Sequence, residues 1–169
     1  MSLAMDALVQ RPANLALLLL LGSGGALLGA LYFQYGLGLA PCALCYDQRY
    51  AHGASLAAAG LALLTNGRLR LGLISFAGLA LLVGSAIAGY HVGVEQGWWP
   101  GPTACSAPDF AKLDIEQLRA ALEATPVIRC DEITWSLFGL SMAGYNFLLS
   151  LALGLLALGG VISNLRRTP

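Results

Sequence analysis

Residues 40–67 read "APCALCYDQRYAHGASLAAAGLALLTNG", and the fold turns on whether this stretch crosses a membrane. From Tyr50 to Gly67 it carries no Asp, Glu, Lys or Arg over 18 residues. At about 1.5 Å per residue that reaches about 27 Å, against a hydrocarbon core of about 30 Å. The segment spans only if its N-terminal end, with Cys42 and Cys45, sits at the interface. Three further charge-free stretches, Pro12 to Tyr46, Leu71 to Val94 and Ile133 to Leu165, are ample for a span.

Composition agrees. The chain of 169 residues is 57% hydrophobic and 11% charged, with mean hydropathy +0.71, which is the balance of an integral membrane protein. Zero net charge and the lack of a long basic run exclude a nucleic-acid partner. The expectation is an all-α membrane protein, one domain over 1–169, with a bundle of four transmembrane helices at about 14–33, 45–65, 71–91 and 137–163. The first, centred on "NLALLLLLGSGGALLGALYF", is too long and too weakly flanked by positive charge for a cleaved signal peptide and reads as a signal anchor.

Arg11, Arg68, Arg70, Arg166 and Arg167 flank these spans on one side, which the positive-inside rule makes cytoplasmic, with both termini there. The other side holds loops of about 34–44 and 92–136. Eight of the nine acidic residues lie around these loops, all but Asp6, and so do the four cysteines, Cys42, Cys45, Cys105 and Cys130. An oxidising compartment lets such cysteines keep disulfides. In the second loop, "PDFAKLDIEQLRAALEATP" offers Asp109 as an N-cap, an apolar stripe through Phe110, Leu113, Leu118 and Leu122, and Pro126 as a stop. It reads as a short helix lying on the membrane surface.

The C-x-x-C at 42–45 admits three readings by spacing alone: a redox dithiol, half a metal site, or a staple. Pro41 starts a helix near it, so Cys45 falls in the first turn, where the helix dipole stabilises a thiolate. Arg49, one turn further on the same face, adds a fixed positive charge; its plain alternative is snorkelling to headgroups. The sequence has no haem attachment motif, Rossmann glycine fingerprint or iron–sulfur array. A quinone dissolved in the bilayer is then the natural electron acceptor. The second pair, Cys105 in "WWPGPTACSAPDF" and Cys130 in "VIRCDEITW", has 24 residues between its members. That suits a disulfide closing a mobile loop better than a zinc knuckle. Taken alone it would be a staple; beside a dithiol on the same face it becomes a partner for exchange.

Together, "PCALCYDQR", "YHVGVEQGWWPGPTAC" and "CDEITWSLFGLSMAGYN" resemble the disulfide bond formation protein B (DsbB) family of inner-membrane thiol oxidases, along the full chain. The resemblance implies a four-helix bundle in the bacterial inner membrane, with periplasmic cysteine loops. It implies electrons taken from a periplasmic thioredoxin-fold dithiol oxidase (DsbA-like) and passed to ubiquinone or menaquinone, without a metal. Carried over by residue, it implies a mixed disulfide at Cys105, onward transfer by Cys130 to the Cys42–Cys45 pair, and contact with the quinone by Cys45, supported by Arg49. His91, where the third helix leaves the membrane, matches a family position near the quinone. One departure stands out: Gln48 precedes Arg49 where the family often has glutamate.

Other polar residues read more plainly. His52 is expected to pack or to make a pore-side hydrogen bond, Asn146 to bond a neighbouring helix, Trp98 and Trp99 to sit in an interfacial aromatic belt, and Gly25 and Gly29 to let helices approach closely. The rival functions are an enzyme resembling vitamin K epoxide reductase, a cysteine-ligated metal-binding membrane protein, and an adaptor whose disulfides only brace loops. The early position of the C-x-x-C argues against the first.

Overall fold

The computed structural model describes residues 11–102, 114–116, 119 and 128–167. Pro12 lacks an N–H that a first helical turn would leave unpaired anyway, and it opens α1, Pro12–Leu31. This helix runs on into a wider turn, the π-helix Tyr32–Gly36. Cys42 is the N-cap of α2, Ala43–Leu64, its sulfur accepting the backbone N–H of Cys45 at 3.3 Å. After Thr65 and Asn66 the chain turns into α3, Gly67–Glu95. Arg70 reaches back to bond the Ala62 carbonyl and the Asn66 side chain, each at 3.0 Å, satisfying the end of α2.

The last helix starts later than the sequence suggested. Residues 136–141 form a hairpin of β1, Ser136–Leu137, and β2, Leu140–Ser141, in register Ser136 to Ser141 and Leu137 to Leu140. Its two turn residues, Phe138 (φ 50°) and Gly139 (φ 80°), both occupy the left-handed region, as a tight two-residue turn requires. Helix α4, Met142–Arg167, follows, with the Ser141 hydroxyl accepting the Gly144 N–H at 3.1 Å in the manner of an N-cap. The surface helix expected over 109–126 falls almost wholly outside the described residues.

Helix α1 packs on α2 and α4, α2 on α3, and α3 on α4, which closes a ring. Leu15, Leu19, Ala59, Ala62, Ile74, Ala77, Leu81, Ala157 and Val161 fill it. Three helical stretches, Pro12–Gly36, Gly67–Glu95 and Met142–Arg166, are long and apolar enough to cross a membrane, so the chain is a mostly helical membrane-type protein. Helix α2 is not among them. Its Gln48, His52 and Ser55 lower its hydropathy, yet all three are buried against the other helices.

Close approach is achieved by glycines other than those expected. Among the described residues a Cβ at Gly25 or Gly29 would meet nothing within 4 Å, so this G-x-x-x-G is not where the described helices touch. Instead α3 and α4 meet at Gly78 and Gly154: a Cβ on Gly78 would lie 2.8 Å from the Ala157 Cβ, and one on Gly154 would lie 3.0 Å from the Gly78 carbonyl. Between apolar helices in lipid, such contact surfaces supply the packing energy that water supplies elsewhere. Gly78→Val or Gly154→Val should therefore destabilise the bundle by about 1–3 kcal/mol through overpacking. Gly25→Ala should be close to neutral, and thermal unfolding in detergent would measure all three. A Gly25 variant as damaging as the other two would contradict this packing.

Candidate functional site

The polar residues of α2 follow one stripe, Cys45, Gln48, His52 and Ser55, at the three- and four-residue spacing of a helix face. This stripe points into the bundle and meets His91 and Glu95 from α3 and Asn146 and Ser150 from α4. In a low-dielectric interior each of these groups needs a partner, and the partners form a chain. The Asn146 amide donates to the Gln48 carbonyl oxygen at 2.6 Å, and the Gln48 amide nitrogen lies 3.0 Å from the His91 Nδ1. His52 Nε2 lies 2.7 Å from the Asn146 carbonyl oxygen and 3.1 Å from the Ser150 hydroxyl. At the other end, His91 Nε2 lies 3.7 Å from the Cys42 sulfur and 3.9 Å from a Glu95 carboxylate oxygen. The second Glu95 oxygen accepts a hydrogen bond from the Ser141 hydroxyl.

The cysteines gather at this end. Cys42 and Cys45 are free, with their sulfurs 2.9 Å apart. Cys130 is fully buried and disulfide-bonded. Cys42, Leu44, Val94 and Cys130 pack together as a small apolar cluster. The donor atoms of Cys42, His91 and Cys130 all lie within 4.8 Å of one another. That spacing suits a metal, but a sulfur committed to a disulfide offers no thiolate ligand. It suits sulfur-to-sulfur exchange equally well, since one thiolate then needs little movement to reach the neighbouring disulfide. Cys105 lies outside the described residues.

Beside the sulfurs opens a cavity of about 350 Å³, lined by Ala26, Ala30, Phe33, Cys42, Cys45, Gln48, Arg49, His52, His91, Glu95, Trp135, Tyr145, Asn146 and Leu149 among others. Its aromatic wall is continuous: Trp135 packs on Phe33 with ring centroids 5.0 Å apart and on Tyr145 at 6.1 Å. Arg49 lines the same space, anchored to helix α1. It donates to the Ala30 carbonyl at 3.1 Å and to the Gln34 side chain, beside the π turn, where the regular helical hydrogen-bond pattern changes. Its guanidinium also stands over the Tyr46 ring, 5.5 Å from the centroid. The fate suggested by an isolated helix-end arginine, snorkelling away, is not what happens.

Near Cys130, Arg129 pairs with Asp131 at 2.6 Å and Glu132 at 3.4 Å. The guanidinium hydrogen bond holds the Asp131 carboxyl below its usual range. Both partners are solvent-exposed, so the pair adds little stability. Trp99 behaves as more than belt material: its indole donates to the Tyr90 carbonyl at 2.9 Å, its ring stacks on Tyr90, and it lies against Gly93.

Cys42, Cys45, Arg49 and His91, all singled out by sequence, thus converge on one cavity, and Asn146 bonds a neighbouring helix as expected, its partner being His52. Gln48 had stood out only as a departure from glutamate, and the structure makes it the bridge between His91 and Asn146. Glu95 was missed, although its position four residues after His91 signals a shared helix face. Trp135 and Gln34 carried no local signal, because loops and the π turn bring them in.

A family model described as "Disulfide bond formation protein DsbB" matches residues 12–159. The chain is 32% identical to Disulfide bond formation protein B of Polaromonas naphthalenivorans over 160 residues, covering 89% of this chain and 92% of that protein. It is 31% identical to the protein of that name in Verminephrobacter eiseniae over 173 residues, covering 94% and 93%. It is 35% identical to that of Haemophilus influenzae over 119 residues, covering 67% and 65%. No solved structure matches the chain. With a membrane-type helical bundle, cysteines gathered at one end of it and a family match over most of its length, this chain belongs to the DsbB family of disulfide bond formation proteins.

Proposed function

We propose that this protein is a membrane thiol oxidase that reoxidises a DsbA-like, thioredoxin-fold dithiol protein of the periplasm and delivers the electrons to a bilayer quinone. The observation that carries the reading is the approach of Cys130 to Cys42, within 4.8 Å, at the edge of an apolar cavity that also holds Cys45. A staple alone has no need of a second cysteine pair at exchange distance.

The sulfur steps of this reading run as a balanced exchange. A partner thiolate attacks Cys105 of a Cys105–Cys130 disulfide, forming a mixed disulfide and releasing Cys130 as a thiolate. With the Cys42–Cys45 pair in its disulfide form, Cys130 then attacks Cys42, the sulfur beside it, breaking the Cys42–Cys45 bond, forming Cys42–Cys130 and expelling Cys45 as a thiolate into the cavity. The second partner thiol frees Cys105 and leaves as the oxidised partner. Cys105 attacks Cys130, restoring their bond and releasing Cys42. Cys42 and Cys45 now hold the two electrons, and their return to a disulfide gives up two electrons and two protons.

A quinone supplies an acceptor for both. The cavity fits such a group by its chemistry: aromatic and aliphatic walls for a ring and tail, with Arg49, His91 and Gln48 at the sulfur end for a polar head. Arg49, held by α1, offers a fixed cation to a developing negative charge on sulfur or oxygen. Whether the headgroup is that of ubiquinone or menaquinone is read out by the assay below.

The reading includes four spans, α2 among them, because its polar side chains turn inward and leave aliphatic residues such as Leu61 and Leu64 outside. It places the termini in the cytoplasm and the cysteine end in the periplasm, by the arginine distribution. A surface helix in the second external loop would lie beside the partner.

Two measurements test this. In detergent with either quinone and a reduced thioredoxin-fold donor, wild-type protein should bleach the quinone absorbance only when donor is present. Cys45→Ser and Cys105→Ser should abolish turnover, and Arg49→Gln should slow it at least about tenfold through loss of a charge-assisted contact. Unchanged turnover in Cys45→Ser would sink the relay. Separately, Cys105→Ser carrying an oxidised Cys42–Cys45 pair should form a Cys42–Cys130 disulfide with Cys45 left as a thiol, detectable by mass spectrometry of non-reduced peptides. Its absence, with Cys42–Cys45 intact and Cys130 a free thiol, would rule out Cys42 as the sulfur that Cys130 meets.

A further inference from the structure

We propose that the buried end of the polar chain decides where the proton sits on His91, and so what His91 presents to Cys42. His52 is 3% exposed, and its Nδ1 is buried without any hydrogen-bond partner among the described residues. A buried N–H with no acceptor is the rarer and costlier fate, so the His52 proton belongs on Nε2, where Asn146 Oδ1 stands 2.7 Å away.

From there each link constrains the next. Asn146 Oδ1, accepting from His52 and from the Ser150 hydroxyl at 3.3 Å, leaves its amide nitrogen to donate to Gln48 Oε1 at 2.6 Å. Gln48 is then left with its own amide nitrogen toward His91 Nδ1, at 3.0 Å. An N–H facing Nδ1 requires that Nδ1 be bare, so His91 carries its proton on Nε2. The groups on that side agree: Nε2 faces the Cys42 sulfur at 3.7 Å and the Glu95 carboxylate at 3.9 Å, both acceptors. Asn146 and Gln48 are thus positioning residues, and His52 is the terminus that sets the direction of the whole chain.

The consequence rests on the sulfur relay proposed above. When Cys105 attacks Cys130 of the Cys42–Cys130 disulfide, the Cys42–Cys130 bond breaks and the electron pair moves to the Cys42 sulfur. An Nε2–H already aimed at that sulfur gives the departing thiolate a charge-assisted hydrogen bond. Reversing the chain would present a bare ring nitrogen to it instead.

The chain contains two histidines, so nitrogen-15 histidine NMR of the full-length protein in detergent shows two imidazoles, assigned by a His52→Gln variant. The expected wild-type result is Nε2–H with bare Nδ1 for both rings. Gln48→Glu puts an acceptor-only carboxylate against His91 Nδ1 and should draw the proton to Nδ1. Asn146→Asp should do the same by turning the Gln48 amide around, and it serves if the first variant does not fold. A wild-type His91 protonated at Nδ1, or a tautomer unmoved in the folded variants, overturns the proposal. None of these spectra needs quinone or donor, so they stand apart from the relay reading. If that reading also holds, Gln48→Glu should slow release of Cys42 about tenfold, the worth of one hydrogen bond to a charged group.

Discussion

Everything in this molecule depends on satisfying polar groups inside an apolar bundle. Hydrocarbon offers no hydrogen bonds, so Gln48, His52, His91, Asn146 and Ser150 have to satisfy one another across three helices. This constraint sets the rotation of α2, whose polar stripe must face inward. It also sets the register of α3 against α2, because His91 must reach Gln48 and Cys42 together. The glycine contact at Gly78 and Gly154 seats α4 against α3, while Asn146 on α4 closes the chain onto Gln48 and His52 of α2.

The same arrangement gives the two cysteines of the C-x-x-C different surroundings. Cys42 is buried beside His91 and Cys130. Cys45, in the first turn of α2 and less buried, lines the cavity. A C-x-x-C at a helix N-terminus produces this difference without further help, since its first cysteine caps the helix and its second lies within the first turn. Arg49 belongs to the cavity rather than to the membrane surface because the π turn of Tyr32–Gly36 brings Gln34 and the Ala30 carbonyl within its reach.

The rest of the cavity is made by segments with little regular structure. Trp135 reaches Phe33 and Tyr145 from the chain just before the β1–β2 hairpin. The hairpin ends at Ser141, which caps α4 and holds Glu95 with one hydroxyl. A small local turn therefore couples the start of α4 to the carboxylate beside His91. Replacing that turn by continuous helix, as the span expected over 137–163 implied, would remove both contacts.

Local chemistry was enough to read much of this from the chain: apolar runs of spanning length, a C-x-x-C behind a proline, an arginine one turn away, and histidines and an asparagine on helix faces. Those signals are carried by neighbours in sequence, through hydrophobic periodicity, capping and charge. The tertiary structure decided what depends on contacts between segments: that Gly78 and Gly154 rather than Gly25 and Gly29 bring helices together, that the Cys42 sulfur comes within 4.8 Å of the Cys130 sulfur, and that Arg49 is held by Gln34. It also turned Gln48 from an oddity into a bridge. A residue's type and spacing state which bonds it needs, and only the packing of distant helices supplies the partner.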